Sequence, residues 1–406
     1  MTETKDEGPV WAAGVMTGTS MDGIDIAAIR TDGVDIFEFG ETFAGDISDV
    51  RRELIGLAIR RVADIETPRL ADRGQWPRWL HGVDAEVEVM LSDAIDAFLT
   101  RAGEAMRTPA ENAASEDAPQ NLVLGVHGQT IAHRPDEGFT LQIGLRGQPD
   151  APRRSDLIEV DDFRSADMKA GGQGAPLAPF YHFALARKIG GAAPVAFLNI
   201  GGVANVTWVD PAKASPEEPG ALLAFDTGPG NALINDWMRR HTGAEMDENG
   251  AAAAAGRVHT ASLRSNIAGA YLNRRPPKSL DRNDFAPMLN AVEALSLEDG
   301  AATLTAFTAD CVAAALRWAP HPPARWLICG GGRLNPSLME MLASRLQTPV
   351  DPVEAVGLDG DMLEAQAFAY LAVRAARGLP LSAPGATGCR APVTGGRVTR
   401  PPVPHS

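Results

Sequence analysis

Cysteine is scarce in this 406-residue chain, which has only Cys311, Cys329 and Cys389. An odd, widely spaced set of this kind predicts neither a disulfide framework nor a zinc site. The sequence also lacks any run of about 18 apolar residues, so no transmembrane helix is expected. Its acidic, polar start has neither the basic nor the apolar region of a signal peptide. We therefore expect a cytoplasmic protein.

Positive charge is also in short supply. The chain has 37 Lys and Arg against 52 Asp and Glu, which gives a net charge of -15. Nucleic acids and anionic membranes attract basic surfaces, so neither is expected as a partner. An anionic ligand such as ATP would have to be bound by backbone N–H groups, helix N-termini, a few basic side chains and Mg²⁺. The length exceeds that of one ordinary core and predicts two lobes.

Apolar strands and amphipathic helices alternate along most of the chain, which predicts an α/β fold. Strands are predicted at 11–16, 26–31, 34–39, 122–127, 195–210 (as a pair), 222–226 and 325–329. Helices are predicted at 50–65, 83–106, 179–189, 251–270, 285–317 and 361–377. A polar insertion at 107–120 and a Pro/Gly-rich tail at 378–406 are predicted to be loops, the tail in part disordered.

The first glycine-containing turn lies between two apolar strands. Its residues, which could contact phosphate oxygens, are Gly18, Thr19, Ser20, Met21, Asp22, Gly23, Ile24 and Asp25. Glycine lets backbone N–H groups approach phosphate oxygens, and the hydroxyls add donors. Asp22 or Asp25 could hold Mg²⁺. The turn lacks the Lys-Ser or Lys-Thr of a P-loop, and a plain polar hairpin turn is the alternative.

Three further glycine-rich turns follow apolar strands later in the chain. They contain Gly201 and Gly202, the run Asp226–Asn231, and Gly330, Gly331 and Gly332. The first of them sits in AFLNIGGVANVTWV, which has the same strand–turn–strand pattern as AAGVMTGTSMDGIDIAAI near the start of the chain. The triple glycine could lie flat against an adenine or ribose ring. Each turn alone could be ordinary packing, but four such turns favour a nucleotide site.

Acidic residues before the run Gly171–Gly174 are the candidate general bases. A sugar kinase needs one carboxylate that accepts a proton. Asp161, Asp162 and Asp167 all qualify, and Asp167 is the nearest to the glycines. His127, Gln129 and Thr130, at the end of a strand, offer donors and acceptors for sugar hydroxyls, while His133 and Arg134 could meet a carboxylate.

These motifs together resemble the anhydro-N-acetylmuramic acid kinases, members of the actin, hexokinase and acetate-kinase superfamily. The matching segments are GVMTGTSMDGID (14–25), VHGQTIAHRP (126–135), LQIG (141–144), DFRSADMKAGGQGAPLAP (162–179), LNIGGVANVT (198–207), FDTGPGN (225–231), PPKS (276–279), ICGGGRLN (328–335) and EAQAFAYLA (364–372). One difference stands out, because the family pattern continues PPKS with Thr-Gly-Arg and this chain has Leu280-Asp281-Arg282.

The resemblance implies an actin-like fold of two lobes, with mixed sheets flanked by helices and a central cleft for ATP and sugar. We expect lobes at 1–178 and 179–360, the first completed by the helix at 361–377, and a tail at 378–406. It implies ATP and Mg²⁺ as cofactors, contact of Gly18–Asp25 with the ATP phosphates, Asp167 as catalytic base, and a homodimer. The sugar contacts expected on this basis are His127, Gln129, Thr130, Gln173, Gly174, Asp226, Asn231 and Glu364.

The reaction implied by the resemblance is unusual. Water attacks C1 of 1,6-anhydro-N-acetylmuramic acid, the internal bridge opens, and O6 takes the γ-phosphoryl group of ATP. The product, N-acetylmuramic acid 6-phosphate, belongs to peptidoglycan recycling. Two alternatives stay open: a plain hexosamine kinase acting on a free hydroxyl, and a non-catalytic nucleotide-dependent sensor on the same fold.

Overall fold

The computed structural model describes residues 8–18, 21, 23–107, 122–146, 152–264, 269–280 and 284–402, with only the backbone at 104, 105 and 107. Thr19, Ser20 and Asp22 of the first glycine turn lie outside these ranges, as do Asp281, Arg282 and all but the first residue of the 107–120 insertion. No helix within the described ranges is long and apolar enough to cross a lipid bilayer.

Strands and helices alternate along most of the chain, which confirms the predicted α/β class. The strands are β1 (Val10–Thr17), β2 (Gly23–Thr31), β3 (Ile36–Asp46), β4 (Leu122–Val126), β5 (Gln129–Arg134), β6 (Phe139–Ile143), β7 (Leu157–Asp161), β8 (Val195–Ile200), β9 (Val203–Val209), β10 (Leu222–Pro229), β11 (Arg325–Cys329), β12 (Val350–Pro352), β13 (Pro380–Ser382), β14 (Val393–Thr394) and β15 (Arg397–Thr399). The helices are α1 (Asp49–Val62), α2 (Thr67–Ala71), α3 (Arg78–Arg107), α4 (Ser165–Lys169), α5 (Pro179–Ile189), α6 (Ala232–Thr242), α7 (Ala251–Ala255), α8 (Thr260–Leu263), α9 (Gly269–Leu272), α10 (Pro287–Val292), α11 (Leu297–Ala315), α12 (Pro336–Leu346), α13 (Leu363–Ala376) and α14 (Pro384–Thr387).

The chain divides into two compact units. The first comprises Met1–Lys188 and Met362–Ser406, and the second is the continuous stretch Ile189–Asp361. The division after Lys188, and not after residue 178, reflects the packing of α5. Tyr181 of this helix donates a hydrogen bond of 2.7 Å to Gln366 of α13, and its ring lies 5.8 Å from that of Tyr370. Helix α5 therefore belongs to the first unit.

The first unit is built on a six-stranded mixed sheet in the order β15-β7-β4-β1-β2-β3. Helices α1 and α3 cover one face, where Val15 and Ile26 pack with Val87 and Leu91 in the main apolar core. Helix α13 covers the middle strands on the other face. Gly14 of β1 and Gly125 of β4 are paired in register there. An added Cβ would stand 1.9 Å from a helix carbonyl oxygen at Gly14 and 2.4 Å at Gly125, so the helix packs directly on the strand backbones.

The second unit contains a five-stranded sheet in the order β10-β9-β8-β11-β12. Its apolar face packs on α11 and α12 through a cluster that includes Leu198, Ile328, Val312 and Leu342. A second cluster joins α6, α10 and α11 around Trp237, which is 1% exposed.

Two helix predictions are wrong in detail. The helix predicted at 251–270 is broken within the described residues into α7, α8 and α9. At Gly256, which ends α7, an added Cβ would stand 2.0 Å from the carbonyl oxygen of Glu298, so the chain lies directly against α11 there. The helix predicted at 285–317 is two helices. Ser296, whose hydroxyl accepts the Asp299 N–H, is the N-cap that starts α11.

The prediction of a loop for the tail is also wrong for residues 378–402. This segment forms β13, β14 and β15, and β15 pairs antiparallel with β7 at the edge of the six-stranded sheet. Arg397 makes a two-pronged ion pair with the buried Asp161, with both N–O distances at 2.7 Å. The composition is that of a loop, but the backbone is tied down by partners far away in the sequence.

Candidate active site

Strands β1, β4 and β7 of the first unit run parallel, so their carboxyl ends meet at one edge of the sheet. The residues after these ends are Gly18, His127 and Asp162. Two hydrogen bonds tie the first two ends together: Thr17 Oγ1 donates to Gly128 O at 3.1 Å, and His127 N donates to Val15 O at 3.1 Å. Functional groups that sequence reasoning drew from separate motifs therefore share one sheet edge.

The first glycine turn is closed by a hydrogen bond of 3.1 Å from Met21 N to Gly18 O, and Met21 has a φ of 56°. Arg52 of α1 donates to Met21 O at 3.1 Å and to Ile47 O at 3.0 Å, which holds the turn against the helix. No local sequence pattern predicts that Arg52 holds the turn. Asp25 lies within β2 opposite Met16, next to the turn, and Gly23 and Ile24 lead to it.

Asp167 is 2% exposed and lies in the short helix α4. Its Oδ2 accepts the Gly174 N–H at 2.7 Å, and its Oδ1 accepts the hydroxyls of Thr387, at 2.6 Å, and Ser382. An added Cβ at Gly172 would stand 2.2 Å from Oδ2. The glycine run is thus wrapped around the carboxylate, which explains why small residues occupy these positions.

The other two candidate bases have structural partners. Asp161 is paired with Arg397, and burial still leaves the pKa of its carboxyl group raised. Asp162, with a φ of 49°, accepts the N–H of Ser165, the first residue of α4, at 3.3 Å. Of the three carboxylates that the sequence left open, Asp167 is the one enclosed by the glycine run.

His127 is engaged within the protein at both ring nitrogens. Nδ1 lies 2.8 Å from Gly128 O, and Nε2 lies 3.0 Å from Nε and 2.8 Å from an Nη of Arg164. An arginine can only donate, so Nε2 accepts and the proton is on Nδ1. Burial and the Arg164 charge hold the pKa of His127 well below its usual value, so the ring stays neutral. The sequence predicts that this ring contacts sugar hydroxyls, and no pattern in it indicates the contact with Arg164.

Arg164 links several predicted site residues. It also donates to Gly174 O at 2.8 Å. Burial lowers its pKa to about 10, although the charges of Glu364 and Asp167 act in the opposite direction. Glu364 opens α13 and is exposed. Gln173, half-buried, is fixed through its N–H, which donates to Thr387 O at 2.9 Å.

Gln129 and Thr130 begin β5, beside this group. Gln129 is fully buried, and its Oε1 has no hydrogen-bond partner within the described part of the chain. An unpaired buried amide oxygen is costly and marks a position where a ligand donor would fit. Thr130 Oγ1 accepts from Gln142 at 3.2 Å. Burial and Arg164 lower the pKa of His133 to about 4.

Arg134, which sequence reasoning offered as a partner for a ligand carboxylate, has another role. Its guanidinium donates to the carbonyl oxygens of Ile65 at 2.9 Å and Val62 at 2.8 Å. These carbonyls lie at and just beyond the end of α1. The side chain satisfies groups that a helix end leaves unpaired.

In the second unit, three glycine turns meet at one sheet edge because β8, β10 and β11 run in the same direction. Gly230 N donates to Gly202 O at 2.9 Å, and Asn231 N donates to Gly201 O at 2.8 Å. The Asn231 side chain donates to Ile200 O at 3.1 Å. Three glycine turns that are far apart in the sequence therefore lie side by side in this unit.

The triple glycine completes this edge. Gly330 has a φ of 70°, and an added Cβ would stand 2.3 Å from Asn199 Oδ1. Gly332 packs on Ile200, and Gly331 faces Asn231. A Cβ has no room at Gly330 or Gly332. The turn is also fixed by Arg333, which donates to Gly330 O at 3.2 Å and pairs with Glu354.

Asp226, in β10, is held by the segment that contains PPKS. Leu280 N donates to Asp226 Oδ2 at 2.8 Å, and Asp226 N donates to Lys278 O at 3.1 Å. Burial raises the pKa of the carboxyl group to about 6, against the opposing effects of the Leu280 N–H and of Lys278. Lys278 itself is 2% exposed and lies over the Tyr271 and Phe225 rings. Sequence reasoning gave this lysine no role.

No group of three or more His, Cys, Asp or Glu side chains that could hold a metal ion occurs within the described residues. Mg²⁺ that accompanies a nucleotide commonly needs only one or two protein carboxylates, the rest being phosphate oxygens and water. Asp25, beside the first turn, is a candidate for such a carboxylate. A cage made wholly of protein ligands is not present in the described part of the chain.

Known proteins match nearly the whole length of this chain. The family model described as anhydro-N-acetylmuramic acid kinase matches residues 11–401. An anhydro-N-acetylmuramic acid kinase of Ruegeria is 50% identical over 395 residues, which is 97% of this chain and 96% of that protein. One from Cereibacter sphaeroides is 49% identical over 399 residues, 97% of each chain.

The chain is therefore a kinase. It belongs to the anhydro-N-acetylmuramic acid kinase family. Among solved structures it is similar to an ADPNP-bound activator of 2-hydroxyisocaproyl-CoA dehydratase from Clostridium difficile, with 12% identity over 91% of this chain and 96% of that one and a TM-score of 0.42. This likeness is too weak to carry an argument.

Proposed function

We propose that this enzyme opens 1,6-anhydro-N-acetylmuramic acid with water and phosphorylates O6 with ATP. The products are N-acetylmuramic acid 6-phosphate and ADP, and the place of the reaction is the recycling of peptidoglycan. Family membership over residues 11–401 supports this substrate. The observation that carries the chemistry is Asp167, a buried carboxylate held by the glycine run at the sheet edge where the first glycine turn also lies.

Asp167 is the proposed general base. It takes a proton from the water that attacks C1, the bond between C1 and O6 breaks, and O6 attacks the γ-phosphorus while ADP leaves. One base suffices, since the leaving O6 bonds to phosphorus and needs no proton. Gln129 Oε1, buried and unpaired, is suited to accept a hydrogen bond from the sugar. Glu364 and Gln173, close to Arg164 and Thr387, are further proposed sugar contacts.

The glycine turns are the proposed nucleotide contacts. In the second unit, the backbone at Gly201–Gly202 and Gly330–Gly332 can approach phosphate, ribose and adenine because no Cβ is in the way. In the first unit, Gly18–Asp25 would receive the terminal phosphates. Mg²⁺ held beside Asp25 would neutralise charge on those phosphates. Asp226 and Asn231, at the same sheet edge as Gly201, stay candidates for contact with ligand.

We also propose that the enzyme works in the cytoplasm as a homodimer. The phosphoryl donor, ATP, is a cytoplasmic metabolite, which supports the first statement. Light scattering on the eluting peak of a size-exclusion column would test the second, with a mass near twice the 42.9 kDa of one chain as the expected result.

The test of the reaction is a single incubation of the purified protein with Mg-ATP and 1,6-anhydro-N-acetylmuramic acid in oxygen-18 water. We expect a phosphorylated sugar with one heavy oxygen at C1. A product without heavy oxygen would indicate a plain kinase acting on a free hydroxyl. ATP left intact would reject a kinase with this substrate.

The Asp167→Asn variant tests the base in the same assay. The amide cannot take the proton from water, so we expect kcat to fall by about 10³-fold or more. Asp162→Asn is the matched control, since that carboxylate accepts the Ser165 N–H and is not among the hydrogen-bond partners of Asp167, and its kcat should change little. Full turnover by Asp167→Asn would reject the assignment of the base.

A further inference from the structure

We infer that Ser382 and Thr387, in the C-terminal segment, are positioning residues that orient the catalytic carboxylate. The inference rests on the proposed function, because it requires Asp167 to be the base. Nothing in the sequence of this segment pointed to the site, and its composition predicted a loop. The structure instead places both hydroxyls on the same carboxylate oxygen.

The two carboxylate oxygens of Asp167 have different hydrogen-bond partners. Oδ1 accepts from Thr387 Oγ1 at 2.6 Å and from Ser382 Oγ. Oδ2 accepts the Gly174 N–H, at 2.7 Å. A carboxylate has about four lone-pair positions, so both positions of Oδ1 are taken. The proton from water would therefore go to Oδ2.

The segment that supplies the hydroxyls is itself anchored. Thr387 O accepts the Gln173 N–H at 2.9 Å, and Ala170 O accepts the Arg390 N–H at 3.3 Å. Strands β13 and β14 pair with each other, and β15 adds to the main sheet next to β7, which leads into α4. These contacts hold the hydroxyls in a fixed relation to the helix that carries Asp167.

The two residues whose hydroxyls hold Asp167 are buried. Thr387 is fully buried and Ser382 is 1% exposed, so water cannot replace either hydroxyl. With one hydroxyl removed, Oδ1 loses a partner and the carboxylate can rotate about its χ2 bond, which is broad in energy. A reacting group misplaced by about 1 Å can cost about 10²-fold in rate.

The decisive variant is Thr387→Val, which keeps the shape and removes only the hydroxyl. We expect kcat to fall by about 10²-fold with the KM of the sugar changed less than about twofold, because the base and not the binding surface is affected. Thr387→Ser restores the hydroxyl and should recover most of kcat. Thr305→Val removes an equally buried hydroxyl that donates only to its own helix, at Ala301 O, and should leave kcat unchanged.

A second measurement separates positioning from general damage. In the Asp167→Asn background, where the base is already absent, Thr387→Val should cause almost no further loss of residual kcat. A full additional loss would overturn the inference. If Thr387→Val lowers the melting temperature below the assay range, Ser382→Ala takes its place in the same design.

The outcomes also distinguish this inference from the proposed function. An inactive Asp167→Asn with an unimpaired Thr387→Val would reject the role of the hydroxyls and leave the base in place. A rise in sugar KM with kcat unchanged would reject positioning in favour of a binding role. An active Asp167→Asn would remove the base assignment and this inference together.

Discussion

At the scale of single residues, Asp226 shows how burial can turn an ordinary carboxyl group into a pH-dependent one. Its pKa of about 6 in the folded protein lies above the ordinary aspartate value of 3.8. Between these two values the folded state binds more protons than the unfolded state. The contribution of Asp226 to the free energy of unfolding is therefore highest below pH 4 and decreases as the pH rises through 6.

The Asp226→Asn variant tests this sign. We expect the free energy of unfolding of the wild type, minus that of the variant, to decrease by up to about 3 kcal/mol between pH 4 and 7. The difference between wild type and variant isolates the effect of Asp226. The wild-type value alone would not, because His133, whose folded pKa is lowered to about 4, makes a contribution of opposite sign to the free energy of unfolding over much of the same pH range. Urea titrations at several pH values would measure it, and a constant difference would contradict the prediction.

At the scale of elements, the close packing of α13 on β1 and β4 depends on two glycines. Neither Gly14 nor Gly125 has a positive φ, so what excludes a larger residue is space and not backbone conformation. The atoms in the way at Gly14 are backbone atoms of Ala365 and Ala369. They cannot move without displacing the helix whose first turn carries Glu364.

The Gly14→Ala variant should be strongly destabilised, by about 3 kcal/mol or more, because overpacking forces the helix away from the sheet. This corresponds to a melting temperature lower by about 6–12 °C in a unit of this size. Gly82→Ala in α3 is the matched control, since a Cβ there would have no neighbour within 4 Å. That variant should be slightly more stable, as alanine favours helices. Equal melting temperatures for the two variants would contradict this account.

At the scale of the whole molecule, the two units differ in how the chain builds them. The second unit is one continuous stretch with its own sheet and two apolar clusters. The first needs residues from both ends of the chain, because α13 covers the Gly14 and Gly125 face and β15 extends the sheet. Only the second unit is therefore built from one continuous stretch of the chain, whereas the first unit is incomplete without the C-terminal residues.

We accordingly predict that the fragment 189–361 folds on its own, while the fragment 1–188 does not. The first should give dispersed ¹H–¹⁵N spectra and cooperative unfolding, since its core contains no element from outside the fragment. The second should show narrow dispersion and aggregate, because the strand face normally covered by α13 would be exposed. Dispersed spectra from 1–188 would show that α13 is dispensable for the fold.

The strands, the fold class, the glycine turns and the family could be predicted from the sequence, because each is encoded in a local pattern of residues. Apolar runs gave the strands β1, β4, β8 and β11, and the α/β class followed from their alternation with helices. The glycine turns and GGQG were visible as motifs, since glycine marks places where the backbone must come close to something. The family was recognisable from the same motifs, and its match covers residues 11–401.

The sequence by itself therefore determined the class, the family and the positions of the glycine turns. Only the tertiary structure decided which carboxylate is enclosed, that Arg164 and Gly128 engage both nitrogens of His127, and that Ser382 and Thr387 hold Asp167. The physical reason is distance along the chain. A turn or an amphipathic helix is encoded within a few neighbouring residues, whereas a hydrogen bond between residues 167 and 387 depends on two segments brought together by the sheet, which leaves no local pattern.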